Sequence, residues 1–267
     1  MKTTLSRRSF STLWLSATLL PLTLGPISNS LAAESPMYEL RIYTTPEGRL
    51  PDLLTRFRDH TCRLFEKHGI RNVGYWVPLE ESDGASNTLI YLVSHPSREA
   101  AREAWAAFSK DPEWRAAAQA SEQRGKLLLK KPESIFLKPT DYSCPIQPGA
   151  ASSERVFELR TYTSPEGKLE ALHKRFRDHT LALFSKYQMT HIGYWTPVEP
   201  EADAKTKLVY ILSHPSKSEG LEAFRRFRAD PEWIAAKTKS EAEGSLTIQP
   251  DGVKSVYMKA TDFSPIR

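Results

Sequence analysis

Glu39, Arg41 and Tyr43 alternate with Tyr38, Leu40 and Ile42 near the start of the chain. In an extended strand one set points to one face and the other set to the opposite face. The apolar set suits a layer of helices. The polar set is then expected to face the space between two sheets, where an Arg needs a carboxylate beside it. Glu158, Arg160 and Tyr162 repeat the arrangement. The pattern allows two readings. One is a Glu–Arg network that fixes strand register. The other is a polar pocket in which Arg41 and Arg160 grip a carboxylate or another anion.

Four histidines extend this list of candidates. His60 lies on the stripe Leu53, Phe57, His60, Leu64, and His179 on Leu172, Phe176, His179, Leu183. Either is a core histidine held by a hydrogen bond or a group for acid–base work near neutral pH. His95 and His214 end an apolar run and precede a proline, a strand-end position where binding residues often sit. Trp76, Trp195, Tyr91 and Tyr210 line a pocket or fill a core. No Gly-rich phosphate loop, Gly-x-Ser-x-Gly elbow or zincin motif occurs. No His or Cys cluster has metal-ligand spacing, so no metal is expected. No cofactor is expected either, and haem on His60 or His179 is the weaker alternative.

The elements that hold these residues are written twice. Residues 38–43 match 157–162, Arg56-Phe57-Arg58-Asp59-His60-Thr61 matches residues 175–180, and Gly74-Tyr75-Trp76 matches Gly193-Tyr194-Trp195. Ser94-His95-Pro96-Ser97 matches residues 213–216, and Asp111-Pro112-Glu113-Trp114 matches residues 230–233. Two copies suggest two domains, 34–143 and 154–267, joined by a Pro/Gly/Ser linker over 144–153. Each copy reads β-α-β-β-α-β. Strands are expected at 38–44, 73–77, 89–95 and 134–138. Thr45-Pro46 reads as a cap and first-turn proline for the first helix, and Asp111-Pro112 as the same signal for a later one. The split βαβ order is ferredoxin-like. A four-stranded sheet with helices on one side leaves its other face bare, and the second copy is its natural cover. The expected fold is α+β: two ferredoxin-like repeats packed sheet to sheet as an intramolecular α/β-barrel pseudo-dimer, with higher assembly left open.

These motifs resemble the NIPSNAP family. The resemblance rests on Tyr38 to Tyr43, His60, Gly74-Tyr75-Trp76, Tyr91 and Asp111 to Trp114, with their second-copy counterparts, and covers 38–138 and 157–259. It implies the dimeric α/β-barrel fold. The best-known members are mitochondrial proteins without an established catalytic mechanism, so the resemblance implies fold more than function.

The chain has 267 residues, 40% hydrophobic and 10% aromatic, which is too apolar for a disordered chain. The formal net charge of +5 includes Lys2, Arg7 and Arg8 in residues 1–33, which carry no acid. The remainder, 34 cations against 32 acids, lacks the clustered excess of a nucleic-acid binder. Residues 1–33 join that basic start to an apolar stretch from Leu13 to Leu24 and small residues before Ala33. This is the pattern of a secretory signal, too short to span a bilayer. Ser6-Arg7-Arg8-Ser9-Phe10 resembles the twin-arginine export motif, with the Sec route as alternative. A bacterial protein exported to the periplasm or outside the cell is expected, with no membrane span after cleavage. The expected role is small-molecule binding in the barrel interior, as a ligand-binding domain or cofactor-poor enzyme. A non-catalytic scaffold or partner-binding module is the alternative. A cavity bordered by Arg41, His60 or Tyr43 would favour the first, and an interior filled by side chains the second.

Overall fold

The structure is a computed structural model, and it describes Met1 and residues 36–147, 149 and 154–267. The expected export signal, and most of the second half of the linker, lie outside the described residues. Among the described residues, no helix is long and apolar enough to cross a membrane.

Eight strands form one closed antiparallel barrel. The first repeat supplies β1 (Met37–Thr44), β2 (Arg71–Pro78), β3 (Thr88–His95) and β4 (Glu133–Pro139). The second supplies β5 (Val156–Thr163), β6 (Thr190–Pro197), β7 (Lys207–His214) and β8 (Val253–Ala260). Around the barrel the order is β1-β3-β2-β8-β5-β7-β6-β4. Each repeat therefore forms a four-stranded ferredoxin-like sheet, and the sheets join edge to edge. Trp76 to Pro78 pair with Met258 to Ala260 on one seam, and Leu137 to Pro139 with Trp195 to Pro197 on the other. Closure leaves no sheet edge unpaired.

The helices cover the outside. In the first repeat they are α1 (Leu50–Arg56), α2 (Cys62–Lys67), α3 (Arg98–Lys110) and α4 (Pro112–Ser121). In the second they are α5 (Leu169–Arg175), α6 (Leu181–Lys186), α7 (Lys217–Ala229) and α8 (Pro231–Ser240). Asp111 Oδ1 accepts from the backbone N–H of Glu113 at 2.8 Å, so the Asp-Pro signal caps α4 as expected. Trp114 packs on Phe108 with ring centroids 4.5 Å apart. The Thr45-Pro46 signal behaves differently. Thr45 Oγ1 donates to the Asn87 carbonyl at 3.2 Å, a turn at Gly48 (φ 71°) follows, and α1 begins only at Leu50. A positive φ there needs glycine, and Gly167 (φ 76°) repeats it.

Three cores result. One lies under the helices of each repeat, around Phe57 and Phe65 and around Phe176 and Phe184. The third fills the middle of the barrel with Leu40, Trp76, Leu92, Phe157, Leu159, Trp195 and Met258 from both repeats. Gly74 sits at a register shift in β2, where an added Cβ would meet the Trp76 ring at 2.2 Å. Only glycine lets that indole fold back over its own strand, and Gly193 does the same for Trp195.

The repeats also exchange tails. Asp141, after β4, forms a two-point pair with Arg177 of the second repeat at 2.8 and 2.9 Å. Asp262, after β8, does so with Arg58 of the first at 2.7 Å for both bonds. Ser143 and Ser264 hydroxyls accept from the backbone N–H of Tyr194 and Tyr75, each at 2.9 Å. The two-repeat barrel is consistent with a pseudo-dimer built from one chain.

Candidate functional site

The polar face of β1 does not enter the barrel. Tyr38, Leu40 and Ile42 point inward and join the interior core, while Glu39, Arg41 and Tyr43 face the helices. The sequence-based assignment of the two faces is thus reversed. The physical reason is the supply of partners. On the helix side Trp105 Nε1 of α3 donates to Glu39 at 2.7 Å, and Ser134 Oγ of β4 at 2.5 Å. His95 Nε2 adds a bond at 3.2 Å, and Arg41 completes the set through Nη1. The core inside the barrel is built mainly of apolar side chains.

Arg41 is equally satisfied. Its Nε donates to the Tyr91 hydroxyl at 2.8 Å, Nη2 reaches the Tyr43 hydroxyl at 3.3 Å, and the guanidinium lies 4.4 Å from the Trp105 ring centroid. In the second repeat Arg160 meets Glu158, Tyr210 and Tyr162 in the same way, and His214 and Ser255 donate to Glu158 at 2.9 and 2.6 Å. Burial alone would raise the Glu39 carboxyl. The His95 bond and the Arg41 charge, with Ser134 and Trp105, outweigh it and hold the group at about 2. The same balance lowers Glu158. In both networks the carboxylate and the guanidinium find their partners inside the protein, while His95 Nδ1 has none among the described residues, so Glu39, Arg41, Tyr43, Tyr91 and His95, with Glu158, Arg160, Tyr162, Tyr210 and His214, act as internal struts beneath the helices. His95 and His214 are fully buried in them. Trp76 and Trp195 fill the barrel interior.

His60 also leaves its expected stripe. Residues Phe57–Thr61 form a π-turn, as do Phe176–Thr180. The extra residue in the turn brings Thr61 inward, its hydroxyl donating to the Arg56 carbonyl at 3.1 Å, and leaves His60 half-buried. His60 lines a cavity of about 340 Å³ with Asp52, Arg56, Ser121 and Arg124. His179 is likewise half-buried. Among the described residues, no group of three or more His, Cys, Asp or Glu side chains is placed to hold a metal ion.

A more open site lies at one mouth of the barrel. Interior-facing residues at the ends of three strands, Phe157, Ile192 and Ser213, combine with Ile146 of the linker and Ile266 of the C-terminus around a pocket of about 420 Å³. Gly149 bridges to Ile266 in parallel and ties linker to C-terminus. Arg155 and Arg267 stand at its rim. Arg155 Nη2 donates to Thr190 Oγ1 at 2.6 Å, while its buried Nε has no partner among the described residues. A second cleft, of about 720 Å³, opens where β4 meets α5. There the Tyr142 hydroxyl and His173 Nδ1 lie 2.7 Å apart. Sequence reasoning missed all of these residues because it followed the features common to both repeats. The available signal was the opposite one: Arg155, Tyr142 and His173 stand where the other repeat has Pro36, Phe263 and Leu54.

Fold and site define a tandem ferredoxin-like α/β barrel with a pocket at its mouth. The chain belongs to the NIPSNAP family, whose profile matches residues 38–144 and 157–265. A Dictyostelium discoideum protein called Protein NipSnap homolog is 28% identical over 145 residues, 53% of this chain and 55% of that protein. The chain thus spans about half the length of this curated relative. A candidate monooxygenase from Fusobacterium nucleatum superposes with a TM-score of 0.56 at 7% identity, covering 85% of this chain and 92% of that one. An anthrone oxidase-like protein gives 0.51 at 12% identity, covering 87% and 94%. At such identities the likeness shows the fold alone.

Proposed function

We propose that this NIPSNAP protein is exported and binds a small amphipathic anion at the barrel mouth. The observation that carries the reading is the 420 Å³ pocket, floored by Ile146, Phe157, Ile192 and Ile266, with Arg155 in its lining and Arg155 Nε without a partner among the described residues. A buried N–H without an acceptor is costly, and a ligand carboxylate would relieve it. The apolar floor would take the tail. No cofactor enters this reading.

Calorimetry with octanoate and octanol on chain lacking residues 1–33 tests it. Octanoate should bind more tightly than octanol, and Arg155→Ala should weaken octanoate by about tenfold, the worth of one charged hydrogen bond. Equal affinity for acid and alcohol would sink the reading. The export part rests on residues 1–33. Changing Arg7 and Arg8 to Lys should hold the protein in the cytoplasm on fractionation, and unchanged export would point to Sec.

The packed middle of the barrel favours a second reading, a non-catalytic scaffold or protein-partner-binding module. Failure of octanoate and its shorter homologues to bind would leave that one standing.

A further inference from the structure

A separate cleft lies at the seam between the repeats, at the other end of β6 from the barrel mouth. His173 of the second repeat lines it, and Tyr142 of the first repeat stands behind, 2.7 Å from His173 Nδ1. The frame around the pair is kept at the pseudo-equivalent position. Arg58–Asp262 matches Arg177–Asp141, and Ser264 matches Ser143. There the pair itself is Phe263 and Leu54. The frame thus forms equally well around apolar side chains, and holding it together does not account for a buried His–Tyr pair.

His173 is 8% exposed. Burial lowers its pKa; Glu170 and Asp141 act upward, and Arg177 and Lys138 downward. The ring is therefore neutral at pH 7. Burial raises the Tyr142 hydroxyl, which stays protonated. In the tautomer whose Nδ1–H donates to the Tyr142 oxygen, the one this reading requires, Nε2 keeps its lone pair; Nε2 makes no hydrogen bond among the described residues. Lys138 and Lys205 line the same cleft, and so do Asp141, Glu166 and Glu170, with Arg177 paired to Asp141.

We propose that His173 is the general base of a proton-transfer site for small carbonyl compounds with an acidic C–H beside the carbonyl, and that Tyr142 is its positioning residue. In the step, the C–H bond breaks, its proton moves to Nε2, and the electron pair remains on the substrate as an enolate. Return of a solvent proton to carbon completes an exchange that needs no oxidant or cofactor.

Pyruvate in deuterated buffer provides the test, with loss of its methyl proton signal followed by NMR near neutral pH. The protein should accelerate exchange about 100-fold over buffer, a typical general-base contribution. His173→Leu should abolish the acceleration. Tyr142→Phe should slow exchange and move the midpoint of the pH–rate profile downward, because the ring loses the acceptor that supports its protonated form. Both variants carry the residue that the first-repeat site already uses, and thermal melts check that they fold. No acceleration by the wild type, or equal acceleration by His173→Leu, overturns the base assignment. An unchanged pH profile in Tyr142→Phe overturns the positioning role.

Discussion

His95 Nε2 donates to Glu39 Oε2 across 3.2 Å where neither side chain reaches solvent. The carboxylate is folded into a cage of donors rather than offered to a ligand. Removing Arg41 leaves Glu39 buried and short of its charged partner. Arg41→Met should therefore cost about 3–5 kcal/mol of stability in denaturant titration without any added ligand. A near-neutral effect would revive a ligand-gripping role for Arg41.

The same cage predicts an acid transition. Glu39 titrates at about 2 in the folded chain against 4.5 ordinarily. A depressed carboxyl contributes stability that is fully present above its unfolded pKa and is lost as pH falls through the folded value. The expected contribution is about 3 kcal/mol at neutral pH, fading between about pH 5 and pH 2. Acid titrations of wild type and Glu39→Gln, followed by circular dichroism, should converge at the acid end of that window. Parallel curves would contradict the assignment.

Gly74 has room for nothing larger, since a Cβ would sit 2.2 Å from the Trp76 ring. That ring is fully buried in the barrel core. Gly74→Ala must displace it and should cost about 1–3 kcal/mol by urea unfolding. Gly193→Ala should cost a similar amount through Trp195. Wild-type stability in both would mean that the indoles are held less tightly than the structure indicates.

Residues 34–143 alone keep one sheet but lose the pairing of β2 with β8 and of β4 with β6. They also expose Leu40, Trp76 and Leu92. Such a fragment should self-associate or unfold, as read by sedimentation. A well-behaved monomer would show that each repeat folds without its partner.

The two free cysteines should differ in reactivity. Burial pushes the Cys62 thiol up to about 12, while Cys144 is exposed and raised less. Thiol reagents at about pH 8 should label Cys144 first, a difference that mass spectrometry of a partial reaction reads directly. Prior labelling of Cys62 would contradict it.

The repeat made the architecture legible. Two matched copies with four β-patterned segments each leave one bare sheet face per copy, and hydrophobic burial joins those faces in a single way. Period-two alternation in β1 likewise separates Glu39, Arg41 and Tyr43 from Leu40 and its neighbours. It does not say which set points inward, because in a barrel clad with helices both faces of a strand are buried. Only the tertiary structure decides that, by placing Trp105, Ser134 and His95 together on the helix side and a mainly apolar core inside the barrel. The π-turn at Phe57–Thr61 is another such decision, since one extra residue per turn moves His60 off a stripe that regular helical spacing put it on. Arg155 and the His173–Tyr142 pair depend on tertiary structure most. Arg155 meets Thr190 across its own repeat, Tyr142 meets His173 only when the two repeats close on each other, and a local pattern carries no information about either contact.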